Sequence, residues 1–399
     1  MTDILFELTP EQLEIRDAIQ RIMDDFPDEY WLETDQTGNY PHEFRKAIAK
    51  GGWLGICMPE EVGGSNLGIT EATVMMETVA NSAGAQTAAS AIHLNIFGPN
   101  VLVKYGTDEQ KREFLPKIIS GDLMTSFGVT EPDAGLDTTN IKTFARKDGN
   151  DYVITGRKIW NSCAQQADRI LLLTRTEEAG KRERRADGQP AKRADGMTLF
   201  FMELDKSKIE VREIPKMGRH AVNSNMLFID EVRVPPSDIV GEVGRGFYHL
   251  LDGLNPERIL IAGEAIGIGR QAVTRATQYA KDRVVFGRPI GQNQSIQHPL
   301  AHSWMELEAA WFATLRAAAL YDAGKPCGAE ANMAKYLGAE AGFKACERAV
   351  LTHGGMGYAQ EYHVERLFRE VQIGRLAPVS QQLISNYIAE RVLGLPRSY

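Results

Sequence analysis

A glutamate in an apolar stretch is the residue of this chain whose type and setting best suit acid–base chemistry. The stretch reads GLNPERILIAG over Gly253–Gly263, and Glu257 and Arg258 are its only charged residues. A carboxylate among apolar side chains loses hydration, which raises its pKa and makes it a proton acceptor near neutral pH. The alternative is a glutamate on a helix surface that faces water beside its arginine neighbour. The stretch alone leaves both interpretations open.

Composition narrows the class of protein that carries this glutamate. The 399 residues allow two or three domains around a large core. The formal net charge of −8 argues against non-specific binding to nucleic acid or to an anionic membrane. No apolar stretch is long enough to cross a bilayer, and the first residues, MTDILFELTPEQ, lack the pattern of a secretion signal.

The four cysteines indicate a reduced protein without a cysteine-based metal site. They are Cys57, Cys163, Cys327 and Cys346. They lie far apart and form no CxxC pair, so neither a disulfide framework nor a zinc site is expected. Small buried apolar positions and a cytoplasmic location fit this usage.

Three regions differ in sequence texture and predict a multi-domain α+β protein. Residues 1–121 carry apolar side chains at helical spacing. Residues 122–241 contain short segments rich in β-forming residues, punctuated by Gly, Asp and Pro. Residues 242–399 return to long helical stretches. We therefore expect an N-terminal α-helical domain, a middle antiparallel β-barrel or β-sandwich domain and a C-terminal domain of the four-helix-bundle type.

Local signals predict where several helices begin and end. Thr9 and Gln12 have the spacing of a capping box at the start of the first helix. Pro116 is expected to bend or end the helix that contains it. In the last region, Ala262–Asp282 and Ser303–Ala323 have the length and composition of bundle helices.

One basic loop admits two interpretations. Arg175–Arg193 reads RTEEAGKRERRADGQPAKR and holds seven basic and four acidic residues. It is either a solvated loop between two strands or a landing site for the phosphates of an anionic ligand. The sequence does not decide between them.

Three segments, in this order, resemble the signatures of the acyl-CoA dehydrogenase family. They are GVTEPDAGLD at Gly128–Asp137, RVVFGRPIGQNQSIQ at Arg283–Gln297 and HGGMGYAQEYHVERLFRE at His353–Glu370. The resemblance extends from about Leu8 to Leu393. It implies an FAD-dependent enzyme that oxidises a saturated acyl-CoA to the 2-enoyl-CoA and passes electrons to an electron-transfer flavoprotein.

The resemblance also implies which residues bind the flavin. Phe127, Val129 and Thr130 would run beside the isoalloxazine, with Thr130 at its pyrimidine edge. Trp160 would stack on the ring, which suits its large face. Ser162 would place a hydroxyl near N5, the atom that accepts the hydride.

A second group of implied FAD ligands comes from the C-terminal region. Arg283, Phe286 and Gln294 match family residues that reach FAD from a neighbouring subunit, which implies an obligate homo-oligomer, a tetramer built as a dimer of dimers. An arginine suits a pyrophosphate because it forms paired, charge-assisted hydrogen bonds. Gly354 and Gly355 would border the same pyrophosphate. Ser380 is also expected to bind the cofactor.

The resemblance assigns the catalytic base to an alternative position, because the usual position carries no glutamate in this chain. The position that carries the glutamate in many family members falls here on Pro378, which cannot take a proton. Long-chain and isovaleryl-type members place the base on the helix with an LxxER pattern, and LNPER matches that pattern and puts Glu257 at the base position. Arg258 and Asn255 would then contact the CoA moiety. The neighbouring amide of Val379 could replace the N–H that Pro378 lacks.

Other features leave the substrate and the reaction class open. Leu136 and Leu351 depart from the family signatures, which affects one expected contact with acyl-CoA and one with the cofactor. The segment His93–Phe97 (HLNIF) and Met75–Met76 either line the acyl pocket or only pack the core. A medium, long or branched acyl chain is favoured. The competing hypotheses are a flavin oxidase or monooxygenase on the same scaffold and a flavin-binding protein without turnover.

Overall fold

The N-terminal part of the chain is helical. The computed structural model describes residues 7–178 and 190–398. The first helices are α1 Pro10–Asp24, α2 Asp28–Thr37, α3 His42–Lys50, α4 Ile69–Ala80, α5 Ala85–Phe97, α6 Asn100–Tyr105 and α7 Asp108–Ser120. The predicted capping box is present at α1, where the Gln12 N–H donates to Thr9 Oγ1 at 3.2 Å and the Thr9 N–H donates to Gln12 Oε1 at 3.1 Å.

Helix α7 does not end at its proline, contrary to the expectation from the sequence. It continues through Pro116 to Ser120. A proline removes one intrahelical hydrogen bond, but the flanking Leu115 and Ile118 are fully buried. Burying these side chains stabilises the last turn enough to offset the lost bond.

The middle of the chain forms one sheet. Its strands are β1 Thr125–Gly128, β2 Phe144–Asp148, β3 Asp151–Ser162, β4 Arg169–Arg175, β5 Met197–Glu203, β6 Ile209–Glu213, β7 Ser224–Val234 and β8 Ile239–Val240. The strand order is β6-β7-β3-β2-β4-β5-β8, with β1 paired to β4. The sheet is mixed, because β1 and β2 each pair in parallel with β4 and the remaining pairs are antiparallel.

The central strands β4 and β5 are apolar on both faces because both faces are covered. Successive side chains of a strand point to opposite faces. Leu171 and Leu173 accordingly pack with helix α7, whereas Leu172 packs with β3 and β7 on the other side. The sheet is thereby fixed to the N-terminal helices, and β1 is held where those helices meet it.

The C-terminal part returns to helices, which are longer than predicted. They are α8 Gly246–Asp282, α9 Gln294–Asp322, α10 Gly328–His353, α11 Val364–Val371, α12 Ile373–Leu376 and α13 Gln381–Arg391, with a short hairpin of β9 Val284–Val285 and β10 Arg288–Pro289 between α8 and α9. The predicted starts at Ala262 and Ser303 are therefore too late. The periodicity of α8 begins earlier but is broken in sequence by Gly253 and Pro256, which the helix accommodates.

Glycines bring α8 against its neighbours. A Cβ on Gly342 of α10 would lie 2.2 Å from the Ala265 carbonyl oxygen, and a Cβ on Gly267 of α8 would lie 2.3 Å from the Glu77 carbonyl oxygen of α4. Only glycine permits these backbone approaches. Helix α5, buried along nearly its whole length, also contacts α8 and β1. The predicted fold class, with a helical, a β and a second helical domain, is confirmed, although the middle sheet is mixed and not wholly antiparallel.

Candidate active site

Glu257 lies on α8 with a perturbed carboxyl group. Part of the residue remains accessible, but the protein around its carboxyl group removes most of its hydration. This burial raises the pKa of Glu257 to about 7. The charges of His93 and Arg258 oppose the rise, and Glu264 adds to it. Lys335 of α10 also lowers the pKa of Glu257. The carboxyl group therefore exchanges its proton near neutral pH.

Arg258 is oriented by its own helix and not by Glu257. Its Nη1 donates to Asn255 Oδ1 at 2.9 Å, and Asn255 Nδ2 in turn donates to Cys327 Sγ at 3.7 Å. Adjacent helix residues do not face each other, so Arg258 is placed by Asn255 and not by an ion pair with Glu257. Arg258 Nε is buried and has no hydrogen-bond partner.

A buried polar cluster that the sequence did not predict lies beside Glu257. His93 Nδ1 and Glu264 Oε1 are 2.6 Å apart, and Gln86 Nε2 donates to Glu264 Oε2 at 2.5 Å. The sequence leaves His93 as a residue of either the pocket or the core, and it does not single out Gln86 or Glu264. Glu264 follows Glu257 by seven positions, which places the two on the same face of α8, and this spacing was the available signal.

Another residue that the sequence did not predict fixes the loop that contains Pro378. Lys335 is fully buried, and its Nζ donates to the Val379 carbonyl oxygen at 2.6 Å. Burial lowers the pKa of Lys335 to about 8. The next residue, Ser380, caps α13, where its hydroxyl accepts from the Leu383 N–H at 3.3 Å. The structure thus connects this loop to the cluster around Glu257.

The structure brings together the flavin residues predicted on β1 and β3. Asn161 Nδ2 donates to the Phe127 carbonyl oxygen at 2.9 Å, and the Ile159 N–H donates to the Thr130 carbonyl oxygen at 2.9 Å. Ser126 Oγ donates to the Ser162 carbonyl oxygen at 2.8 Å. Trp160 has a φ of +65° and interrupts the regular register between β3 and β7. It is 54% exposed.

A buried ion pair supports this pair of segments. Lys158 Nζ is 2.9 Å from Glu131 Oε1 and 3.0 Å from the Val129 carbonyl oxygen. Burial lowers the pKa of Lys158 to about 8. Burial would raise the pKa of Glu131, but the charge of Lys158 and the hydrogen bonds from Lys142 and Thr143 outweigh it and lower the pKa of that carboxyl. Lys158 therefore anchors the backbone on which Val129 and Thr130 lie.

The second group of predicted FAD ligands is remote from Glu257 within one chain. Arg283 follows Glu257 by 26 positions at the far end of α8, which corresponds to roughly 39 Å along a helix. Phe286 lies on the β9–β10 hairpin and is 101% exposed, and Gln294 begins α9. These residues therefore lie at or beyond the end of α8 that is remote from Glu257.

The predicted glycines lie near this remote end. Gly354 follows α10 with a φ of +59°, and a Cβ on either Gly354 or Gly355 would meet nothing within 4 Å. The preceding His353 stacks on Tyr279 with ring centroids 4.2 Å apart, so the glycines lie near the last turn of α8. Open space in front of glycine backbone suits close approach of a phosphate group.

The basic loop is only partly described. Residues 179–189 lie outside the described residues, so the phosphate-landing interpretation stays a prediction for them. Arg175 itself is buried, and its guanidinium donates to backbone carbonyl oxygens, among them Ile141 at 3.2 Å and Arg193 at 2.8 Å. It therefore holds the ends of the loop and is not a ligand for phosphates.

The described residues fit a flavin at the β1–β3 edge. Trp160 presents a large, flat and exposed side chain on β3, which suits stacking on an aromatic ring system. The Asn161 Oδ1 is buried without a partner and Ser162 remains partly exposed, so polar atoms are available beside that face. The open glycines and the exposed Phe286 offer surfaces to the rest of a dinucleotide.

Comparisons with known proteins identify the family. Models of the acyl-CoA dehydrogenase N-terminal, middle and C-terminal domains match residues 9–122, 126–232 and 244–393. The acyl-CoA dehydrogenase fadE12 of Mycobacterium bovis is 38% identical over 100% of both chains. The chain therefore belongs to the acyl-CoA dehydrogenase family. It is an oxidoreductase, and its cofactor is FAD.

Solved structures agree with this assignment. Butyryl-CoA dehydrogenase from Megasphaera elsdenii superposes with a TM-score of 0.90 at 27% identity, covering 97% of this chain and 99% of that one. A structure described as the electron transferring flavoprotein of Acidaminococcus fermentans gives the same TM-score, identity and coverage. Across residues 7–178 and 190–398, no helix combines the length and apolar character that a bilayer crossing requires.

Proposed function

We propose that the protein catalyses FAD-dependent α,β-dehydrogenation of a saturated acyl-CoA thioester, with Glu257 as the base. The observation that carries this proposal is a carboxyl group with a pKa of about 7 on α8, at the position that the LNPER pattern assigns to the base. A general base works best when its pKa lies near the working pH. Deprotonated Glu257 takes the proton from Cα of the thioester and leaves a 2-enoyl-CoA after loss of the Cβ hydride.

Other residues hold the reactants. The flavin ring is held by residues of β3 and of β1 with the segment that follows it, namely Phe127, Val129, Thr130, Trp160 and Ser162. FAD supplies the hydride acceptor for Cβ. The ring is held because the ends of β1 and β3 are fixed to each other by the hydrogen bonds described above. A stiff support reduces the reorganisation needed to bring Cβ within reach.

The thioester must also be polarised, because its α-proton is only weakly acidic. Pro378 has no N–H for this role, and we assign the role to the amide of Val379. Lys335 supports the assignment, since its hydrogen bond to the Val379 carbonyl oxygen restricts the orientation of this loop. Arg258 and Asn255 bind the CoA moiety, for which the buried, unpartnered Arg258 Nε is a ready donor.

The assembly and the electron acceptor follow from the same proposal. The FAD site of a neighbouring subunit is completed by residues near the end of α8 that is remote from Glu257. These are Arg283, Phe286, Gln294, Gly354 and Gly355. The homo-oligomer is a tetramer. Electrons pass to an electron-transfer flavoprotein, and the similarity to the electron transferring flavoprotein structure of Acidaminococcus fermentans supports this partner. The four cysteines that the structure describes are free, which fits a reducing cytoplasm.

The substrate is a medium, long or branched acyl-CoA. The test mixes the yellow protein anaerobically with straight, branched and alicyclic acyl-CoA thioesters and follows bleaching of the flavin absorption. Wild type is expected to bleach with some chains, and Glu257→Gln to lose this bleaching while it retains the flavin. Glu347→Gln, which makes the same change at an exposed position of α10, is the control.

The outcome separates the proposed function from its alternatives. Bleaching by thioesters that persists in Glu257→Gln removes Glu257 from the mechanism. No bleaching by any thioester contradicts the dehydrogenase reaction, and oxygen consumption without a CoA thioester would then identify an oxidase or monooxygenase. A stable yellow protein that does neither is a flavin-binding protein.

A further inference from the structure

Three buried polar side chains form a closed unit between α5 and α8. Glu264 is fully buried, and both of its carboxyl oxygens are occupied, one by His93 and the other by Gln86. An unpaired carboxylate at this depth would be strongly disfavoured. The second hydrogen bond, from the Gln86 amide, keeps Glu264 in place. Because this amide is neutral, the charge of Glu264 is balanced by His93. Glu264 and His93 are therefore a fixed pair.

His93 has one ring nitrogen without a partner. Nδ1 carries the hydrogen that it donates to Glu264, because a carboxylate only accepts. Nε2 is buried and has no hydrogen-bond partner, and the residue as a whole is only 8% exposed. The ring packs on Phe97 with centroids 4.8 Å apart, and Phe97 packs on Phe127 at 5.7 Å. The imidazole thus stands between the predicted flavin strand and α8.

We propose that His93 is a positioning residue for Glu257: the Glu264 carboxylate keeps the His93 imidazole protonated, and this buried cation stabilises the carboxylate form of Glu257. The inference rests on the proposed function, in which Glu257 takes up the substrate proton. It adds a pair of residues that act on the base without touching the substrate.

Electrostatics around His93 support its protonated form. Burial by itself would lower the pKa of His93. The charge and hydrogen bond of Glu264 outweigh burial, and the charge of Glu257 adds to them, so the pKa of His93 is raised. Arg219, in the connection between β6 and β7, acts in the opposite direction. The pair with Glu264 thus favours the protonated imidazole despite its burial.

The other charges that face Glu257 do not replace His93. Arg258 on α8 and Lys335 on α10 also favour the carboxylate, and Glu264 disfavours it. Among these charges His93 has the largest effect on Glu257. Glu264 therefore acts in two opposite ways, directly by repulsion and indirectly by favouring the protonated form of His93.

The experiment measures the protonation of Glu257 in two ways. Infrared titration of the substrate-free holoprotein follows the carboxyl band that is present in wild type and absent in Glu257→Gln. The pH profile of anaerobic flavin reduction gives the same midpoint during reaction. The variants are His93→Gln and the double variant His93→Gln/Glu264→Gln, which replaces the ion pair by two neutral amides. The double variant leaves no unpaired carboxylate at position 264 and keeps the test possible if the single variant does not fold.

Both variants are expected to raise the midpoint, His93→Gln by about one pH unit, which is a tenfold change in proton affinity. Flavin reduction then falls about fivefold at pH 7 and is nearly unchanged at pH 9. His249→Gln is the matched control: His249 is a buried histidine of α8 that stacks on Tyr105, and its loss leaves the midpoint in place.

The results distinguish this inference from the proposed function. An unchanged midpoint in both His93 variants, with the profile still dependent on Glu257, overturns the role of His93 alone. A shift of equal size in His249→Gln also overturns it, because the effect would then be general. A wild-type profile that persists in Glu257→Gln contradicts the proposed function itself.

Discussion

At the scale of single residues, the chemistry of Glu257 depends on a conflict between burial and charge. Burial alone favours the protonated acid, which cannot take up a proton. Burial raises the pKa of Glu257 to about 7, and the charges of His93, Arg258 and Lys335 oppose a larger rise. A base with a pKa in this range is about half deprotonated at neutral pH. A large fraction of the molecules therefore carries the reactive carboxylate, and this carboxylate still binds a proton well.

The buried ion pair beneath the flavin strand gives a prediction at this scale. Lys158→Met leaves Glu131 as a buried carboxylate that has lost its cation, and we expect the free energy of unfolding to fall by about 3–5 kcal/mol. Chemical unfolding of the purified protein measures this change. The flavin content should fall as well, because Lys158 also holds the Val129 carbonyl oxygen.

A double variant controls for the size of the Lys158 side chain. Lys158→Met/Glu131→Gln removes both charges, so a large part of the lost stability should return. Equal loss in the single and double variants would contradict an ion-pair origin and would indicate that packing of the lysine alone matters.

At the scale of elements, helix α8 organises the molecule. It carries Glu257 and Glu264, contacts α4, α5, α9 and α10, and ends at Asp282, where Arg283 leads into the exposed hairpin. One helix thereby connects the proposed base of one site with the residues proposed to complete another. Its precise seating against α4 and α10 is consequently a requirement of the site.

Two glycines of α8 test this seating. Gly267→Ala would place a Cβ 2.3 Å from the Glu77 carbonyl oxygen, and we expect a loss of about 1–3 kcal/mol in the free energy of unfolding. Gly253→Ala meets only Val101 Cγ2 at 3.7 Å and should stabilise the protein by about 0.5–1 kcal/mol, because alanine favours helix. Thermal or chemical unfolding of both variants measures these changes in the free energy of unfolding. Equal effects would contradict the close approach of α4 and α8.

Element boundaries show what the sequence could and could not provide. The capping box at Thr9 was predictable because it depends on neighbours in sequence. The start of α8 at Gly246 was not, because Gly253 and Pro256 interrupt the helical pattern and tertiary packing compensates for them. Continuation of α7 past Pro116 has the same origin.

At the scale of the whole molecule, the order of helical, β and helical regions was predictable from the spacing of apolar residues and from composition. The pairing of β1 with β4 was not predictable. Parallel pairing joins segments that are distant in sequence and leaves no local signal. The apolar surroundings of Glu257 and the LNPER pattern made it a candidate base in the sequence, and its role stays a prediction. Gln86 and Lys335 were not predictable, because their roles depend on contacts between separate helices.

The exposed hairpin gives a prediction about assembly. Phe286, Leu351 and Tyr358 are exposed large side chains at the remote end of α8 and α10, and we expect the protein to be an oligomer that buries them. Phe286→Glu should lower the molecular mass measured by light scattering and reduce the bound flavin. Leu13→Glu, at an exposed position of α1, is the control and should change neither. A wild-type monomer with a full complement of flavin would contradict this prediction.

The central claim, that Glu257 is the base, is tested most directly by the pH dependence of flavin reduction in a single anaerobic turnover. Since the carboxylate is the active form and the pKa of Glu257 is about 7, the wild-type rate should rise tenfold per pH unit below this value and level off above it. Glu257→Gln should lose this dependence and fall by about 10²–10⁴-fold. The same pH dependence in both proteins would contradict the assignment of Glu257 as the base.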